Sequence, residues 1–286
     1  MRAIATTTTL AIAATVAGLA GTVSAQLDPS LVTGLSANCA SGLVGIVTTS
    51  NISSCLALPS AVGALTSAAN TSSVLPGLSN YLNNNICGAS KSPCTKDQLS
   101  AANSSLLQSC ATDLGANGGQ NIPALVYYFI NSYDRLRTAA CLQDSTGTSC
   151  LVKDMETLQD TTRMNLTFSA IQNVLSNQTI QQQSLMALSA NKTAFCTDCT
   201  HGLYSVLFPN NSNQQLAGAL GQTCNTTFLD GKIPATLKST ANGNSTTTTS
   251  SATANGGKNA ASPVNIAAIA SVGSLVAALA AGLALL

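Results

Sequence analysis

Apolar and polar positions along this chain alternate at helical spacing rather than at the two-residue spacing of a strand. Leu99, Ala102, Leu106, Cys110 and Leu114 recur every three or four residues behind Thr95-Lys96-Asp97-Gln98. That recurrence puts one apolar stripe on one helix face. A Thr followed three residues later by Gln is a capping box, which satisfies free backbone N–H groups at a helix start. Cys110 lies on the stripe, so it is expected to point inward and staple its helix to a neighbour. Gly115 to Gln120 breaks the pattern, and Pro123 suits the first turn of a new helix. Ile122 to Leu142 then reads as the longest and most apolar helix, with Leu125, Phe129, Leu136 and Ala140 on one face. It is expected at the centre of the core.

Further stripes follow. Leu151, Met155 and Leu158 form one, and Phe168, Ile171, Val174 and Leu175 another. Leu185 and Leu188 lead toward Cys196, Leu203, Val206 and Leu207 stop at Pro209, and Leu216, Ala219, Leu220 and Cys224 form the last clear helix. Gln26 to about Leu58 is apolar but interrupted by Gly, Ser and Asn, and no helix is assigned there. Strand signals are few, because aromatic residues make up only 3% of the chain, Trp is absent, and Val/Ile alternation is scarce. The expected fold class is all-α: a disulfide-stapled bundle of roughly six to eight helices, followed by a disordered Ser/Thr-rich stalk.

The ends differ from the middle. Arg2 precedes an uncharged stretch, Ala3 to Ala25, with an apolar centre and small residues at Val23-Ser24-Ala25. A short positive region, an apolar region and an A-x-A-like site predict a secretory signal peptide over residues 1–25, cut after Ala25. At the other end, Val264 to Leu286 carries no charge, and no Lys or Arg follows it. Upstream lie the small residues Asn255-Gly256-Gly257 and a polar spacer to Pro263. Small residues, spacer and apolar tail form the pattern of a glycosylphosphatidylinositol (GPI) signal whose tail is removed. Asn255 is the first choice for attachment; Ser250 or Ser251 gives a longer spacer. A retained single-pass anchor is the other reading of this run. Residues 239–255 hold no large apolar side chain and are full of Ser, Thr, Asn and Gly. They cannot bury enough surface to fold, so a stalk is expected. The expected organisation is a signal peptide over 1–25, a cysteine-rich helical domain over 26–238, a stalk over 239–255 and a removed anchor signal over 256–286.

Charged residues are only 7% of the chain and the net charge is +1, against about 25% charged residues in a typical globular protein. No basic patch can be drawn, so nucleic-acid partners are excluded. Solubility must come from uncharged polar side chains and glycans. Nine Asn-x-Ser/Thr sites stand at Asn51, Asn70, Asn103, Asn165, Asn177, Asn191, Asn210, Asn225 and Asn244. In an exported chain each is a candidate glycan carrier and must then sit at the surface.

The ten cysteines are Cys39, Cys55, Cys87, Cys94, Cys110, Cys141, Cys150, Cys196, Cys199 and Cys224. An even count between two export signals predicts a complete disulfide framework. Sequence spacing leaves the pairing open. Cys141 with Cys150, and Cys87 with Cys94, flank turn-rich stretches and are candidates for short loops. Cys196 or Cys199 is a candidate partner for Cys224 across a helix pair.

Candidate chemistry is sparse. Cys196-Thr197-Asp198-Cys199 is a CxxC with His201 two residues on. A redox motif would need a βαβ context, and a zinc site two more clustered ligands. A haem attachment would need His directly after the second Cys. Structural disulfides to two different partners are the expectation. His201 is the only histidine and has no placed nucleophile beside it, so a structural or solvated role is expected. Asp154, Glu156 and Asp160 form the densest acidic group, and Glu156 and Asp160 share a helix face. Two carboxylates could serve glycoside hydrolysis, but a solvated face is the ordinary outcome, and no enzyme activity is expected. Asp134, Arg135 and Arg137 sit on an otherwise apolar helix, where an internal ion pair or an exposed edge is expected. No cofactor, metal ligand or catalytic residue is assigned.

Secretion signal, Ser/Thr stalk and GPI signal together resemble fungal cell-surface GPI proteins. The cysteine-framed helical region, with Cys141, Cys196-Thr197-Asp198-Cys199 and Cys224, resembles an uncharacterised cysteine-rich domain of fungal, especially basidiomycete, secreted proteins, over about residues 38 to 238. The resemblance implies no activity and transfers no functional residue. The expected function is a non-enzymatic surface or cell-wall glycoprotein on the extracellular face, attached to the outer membrane leaflet through GPI lipid and in contact with wall glucan. The alternative is a helical module enclosing a lipid or sterol in an apolar pocket, with Tyr127, Tyr128 and Phe129 on its most apolar helix.

Overall fold

The computed structural model describes residues 34–48, 51–57, 60–61, 64, 72–87, 91–114, 122–167, 169–171, 173, 177–209 and 214–241. The expected signal peptide, the stalk beyond residue 241, Asn255 and the terminal apolar run lie outside these residues, as do Asn70, Asn210 and Asn244.

The described chain is mostly helical. In order it forms α1 (Ala37–Thr48), α2 (Asn51–Cys55), α3 (Leu75–Tyr81), which runs on into a π-helical turn over Leu82–Ile86, and α4 (Lys96–Leu114). Then come α5 (Ile122–Asn131), α6 (Tyr133–Ala140), strand β1 (Leu142–Gln143), α7 (Cys150–Thr162), α8 (Gln178–Ala190), α9 (Lys192–Phe195), α10 (Asp198–Leu207) and α11 (Gln214–Cys224). A 3-10 turn (Thr226–Leu229) and strand β2 (Lys238–Ser239) close the fold. No described helix is long and apolar enough to cross a membrane.

The expected capping box starts α4. Thr95 N–H donates to Gln98 Oε1 at 2.7 Å, and Gln98 N–H donates to Thr95 Oγ1 at 3.2 Å. Ala102, Leu106, Cys110 and Leu114 are buried as one stripe. Cys110 reaches inward to Cys39 of α1, with the two Cα atoms 4.4 Å apart.

That approach explains a helix the sequence pattern did not reveal. Gly42 and Gly45 argue against α1, since glycine weakens helix interiors. Gly42, however, faces α4 so closely that a Cβ there would come within 2.5 Å of Ser109 Cβ. Helix packing and a bridge outweigh propensity here.

Ile122–Leu142 is not one helix. It breaks at Ser132 (φ −109°, ψ 11°) into α5 and α6, and each piece is shorter than α4, which is itself kinked at Cys110 (φ −115°, ψ 15°). Asn131 Nδ2 donates to the Tyr127 carbonyl at 2.7 Å, a side-chain bond that competes with the backbone ladder. The segment is central as expected, because Phe129, Ile130, Tyr133, Leu136, Ala139 and Ala140 are all buried. Helices are therefore shorter and more numerous than the stripes suggested.

Five bridges join Cys39–Cys110, Cys55–Cys94, Cys87–Cys141, Cys150–Cys199 and Cys196–Cys224. The short loops Cys141–Cys150 and Cys87–Cys94 do not form. The turn between Cys141 and Cys150 closes without a bridge. Asp144 Oδ1 accepts from the N–H groups of Thr146 and Thr148 at 2.9 and 3.1 Å, and Oδ2 pairs with Lys153 Nζ at 2.8 Å. Cys150 is thereby free to open α7 and face α10. Of the two candidates for Cys224, Cys196 is the partner.

The folded chain runs past the expected boundary at 238. Leu142 pairs with Ser239 and Gln143 with Lys238 in a short antiparallel ribbon. Thr240 N–H donates to the Cys141 carbonyl at 3.1 Å, and Ala241 is buried.

Candidate functional site

The CxxC segment is the turn into α10. Thr197 is its N-cap and accepts from Thr200 N–H at 3.2 Å. Cys196 leaves this turn toward Cys224 at the end of α11, and Cys199 toward Cys150 at the start of α7. The two sulfurs therefore have different partners, as expected, and the motif ties the start of α10 to α7 and to α11. Among the described residues no group of three or more His, Cys, Asp or Glu side chains could hold a metal ion.

The acidic group on α7 is divided by the helix. Glu156 and Asp160 lie on its exposed face. Asp154 turns the other way, half-buried against α10, where its Oδ2 accepts from Thr200 Oγ1 at 3.1 Å. Thr200 Oγ1 in turn lies 3.1 Å from Thr197 Oγ1. Burial outweighs this hydrogen bond and the charge of Lys153, and pushes the Asp154 carboxyl up to about 7. The expected solvated face holds for Glu156 and Asp160, but Asp154 belongs to the α7–α10 interface. Its position had a legible signal: it falls at helical spacing from Leu151 and Leu158, on the inward side.

His201 follows Thr200 on α10. Its ring stacks on Phe228 with centroids 4.8 Å apart, and Nε2 lies 3.0 Å from Asp230 Oδ1. Burial raises the Asp230 carboxyl. Hydrogen bonds from the Lys232 N–H and from His201, with the charges of both, outweigh it and hold the carboxyl below the usual range. The histidine pins the 3-10 turn to α10, a structural use.

In the charged group on α6, Arg137 is buried. Nε donates to the Ala241 carbonyl at 3.0 Å, Nη2 to the Lys91 carbonyl at 2.8 Å, and Nη1 to the Tyr133 hydroxyl at 3.3 Å. The same hydroxyl accepts from Cys94 N–H at 3.0 Å. Neither an internal ion pair nor an exposed edge describes this arginine. Its guanidinium is solvated by protein oxygens, which offsets part of the cost of removing a charge from water. Asp134 is exposed and Arg135 half-buried on the same helix. Tyr127 and Tyr128 are half-buried and packed on the core, and α5 lies against α4.

Of the nine sequon asparagines, Asn51, Asn165, Asn177, Asn191 and Asn225 are exposed, and Asn103 is half-buried in the middle of α4. Asn103 Oδ1 accepts from Asn131 Nδ2 at 3.1 Å. No protein-family model, curated protein or solved structure matches the chain.

Proposed function

We propose that this chain is an exported, disulfide-stapled and non-enzymatic surface glycoprotein, attached to the outer membrane leaflet by a GPI lipid near Asn255. The observation that carries the reading is the cysteine framework. All ten cysteines are consumed in five bridges, and these join segments 28 to 71 residues apart. A framework of that extent forms and persists in an oxidising compartment.

The residues that could have run chemistry support a structural reading. His201 is engaged by Phe228 and Asp230, Asp154 by Thr200, and Arg137 by two carbonyls and a hydroxyl. The wall of a fungal cell is the setting that the resemblance of the ends and cysteine framing implies, with glucan as the neighbour.

The reading is tested by expressing the full chain in a eukaryotic secretory host. Treating intact cells with a phosphatidylinositol-specific phospholipase should release a protein without titratable thiols. Retention on the membrane with Leu286 still present would remove the lipid anchor from the proposal. Free thiols in freshly isolated protein would remove export itself.

A further inference from the structure

The amides of Asn177, Asn191 and Asn225 are oriented by the fold. An amide group is planar, with its oxygen and nitrogen on opposite sides of Cγ, and only the oxygen can accept a hydrogen bond from N–H. Asn177 Oδ1 accepts from the N–H groups of Thr179 and Ile180 at 3.0 and 3.3 Å. Asn191 Oδ1 accepts from Ala194 N–H at 3.4 Å. Asn225 Oδ1 accepts from Thr226 N–H at 2.6 Å and Thr226 Oγ1 at 3.2 Å. In each case the oxygen faces the following turn, so Nδ2 is aimed away from the backbone, and each of the three residues is exposed. Each is followed at the second position by an exposed threonine, Thr179, Thr193 or Thr227.

We infer that these three asparagines carry N-linked oligosaccharide in the mature protein, and that each keeps its cap while doing so. In the transfer, Nδ2 loses one proton and bonds to the anomeric carbon of the first sugar. The donor is a lipid-diphosphate-linked oligosaccharide, whose diphosphate leaves with the electrons of the broken C–O bond. One N–H remains, and Oδ1, the atom that caps, is untouched. Modification and capping use opposite sides of one amide and are compatible. Asn103 differs. It is half-buried in mid-helix and its amide engages Asn131 of α5, so oligosaccharide there would be crowded by the α4–α5 contact, and it is expected to stay bare in folded protein.

The inference rests on the export reading above, and one experiment separates the two. The secreted full chain is deglycosylated with peptide N-glycosidase in heavy-oxygen water, which converts each formerly modified Asn to labelled Asp, and its peptides are mapped by mass. Label at Asn177, Asn191 and Asn225 with none at Asn103 is the expected result. Label at Asn51 or Asn165 with those three bare would overturn this inference and leave export standing. No label at any sequon of the secreted chain would overturn the inference and the glycoprotein reading together. As a second readout, Thr179→Ala, Thr193→Ala and Thr227→Ala leave each asparagine in place, and each should remove one glycan from the intact mass. Asn177→Asp should lose the glycan and keep a cap acceptor, whereas Asn177→Ala loses both. If Asn177→Asp melted as low as Asn177→Ala, the claim that one amide serves both roles would fail.

Discussion

Arg137 Nε donates to the carbonyl oxygen of Ala241 at 3.0 Å, joining the middle of α6 to the last described residue of the folded chain, 104 positions away. Its Nη2 holds the Lys91 carbonyl at 2.8 Å. One cation thereby fastens the loop before α4 and the strap after β2 to a single helix. Arg137→Met fills a similar volume but leaves both carbonyls without their donors. A loss of about 2–4 kcal/mol is expected from charge-assisted bonds and stranded acceptors, read as a lower midpoint in chemical denaturation. Amide exchange should accelerate first at Thr240 and Ala241. An unchanged midpoint would show that the strap does not depend on this residue.

Asp154 makes stability depend on pH in the direction opposite to most carboxylates. Its folded value lies near 7, above the ordinary 3.8. Between those values the folded chain keeps a proton that the unfolded chain has released, so this residue's contribution falls as pH rises from about 4 to about 7. Asp144 and Asp230 act the other way. At Asp144 burial is outweighed by hydrogen bonds from Lys153, Thr146 and Thr148, which hold its carboxyl well below the usual range. Their contribution is present above the ordinary carboxylate value and is lost as pH falls below it. The melting temperature should therefore peak in mildly acidic solution. Asp154→Asn should flatten the decline toward neutral pH.

The bridges are not equal. Cys39–Cys110 closes 71 residues and Cys196–Cys224 closes 28. Loop entropy alone makes the longer closure worth about 0.8 kcal/mol more. Paired Cys→Ala variants should both lower the denaturation midpoint, Cys39/Cys110 by the larger amount. Non-reducing peptide maps should recover the five pairs described, with no Cys141–Cys150 or Cys87–Cys94 link.

Gly202 sits where the C-terminal strap crosses α10. A Cβ there would run into Leu237 Cδ1 and would lie 2.8 Å from Leu142 Cδ2. Both leucines are buried at or beside the β1–β2 ribbon. Gly202→Ala gains helix propensity but forces these side chains apart, so a net loss of about 1–3 kcal/mol is expected from overpacking. A thermal melt checks the sign: a rise would mean the ribbon yields easily.

Local regularities in the chain determine a good part of this protein. Helical periodicity placed α4, α7, α10 and α11, because each repeats apolar residues at helical spacing over enough length to read, although α10 proves buried on nearly every side. The capping box at Thr95 and Gln98 set the start of α4 from two side chains. The inward direction of Cys110 followed from its place on a stripe, and the CxxC read correctly as two bridges with different partners. What tertiary structure alone decided has a common physical cause: it depends on contacts between residues far apart in sequence. Gly42 makes α1 a good neighbour for α4 although it makes α1 a poor isolated helix. Cys87 takes Cys141 over the nearer Cys94 because packed helices, not loop length, set which sulfurs meet. Arg137 and Asp154 lie at inward positions on their stripes, and only the elements packed against them decide whether a charge there is paired with acid, solvated by carbonyls or kept protonated. The strap through Ala241 has too few large apolar residues to announce itself, and it is ordered because a distant arginine and the backbone at Cys141 complete its hydrogen bonds.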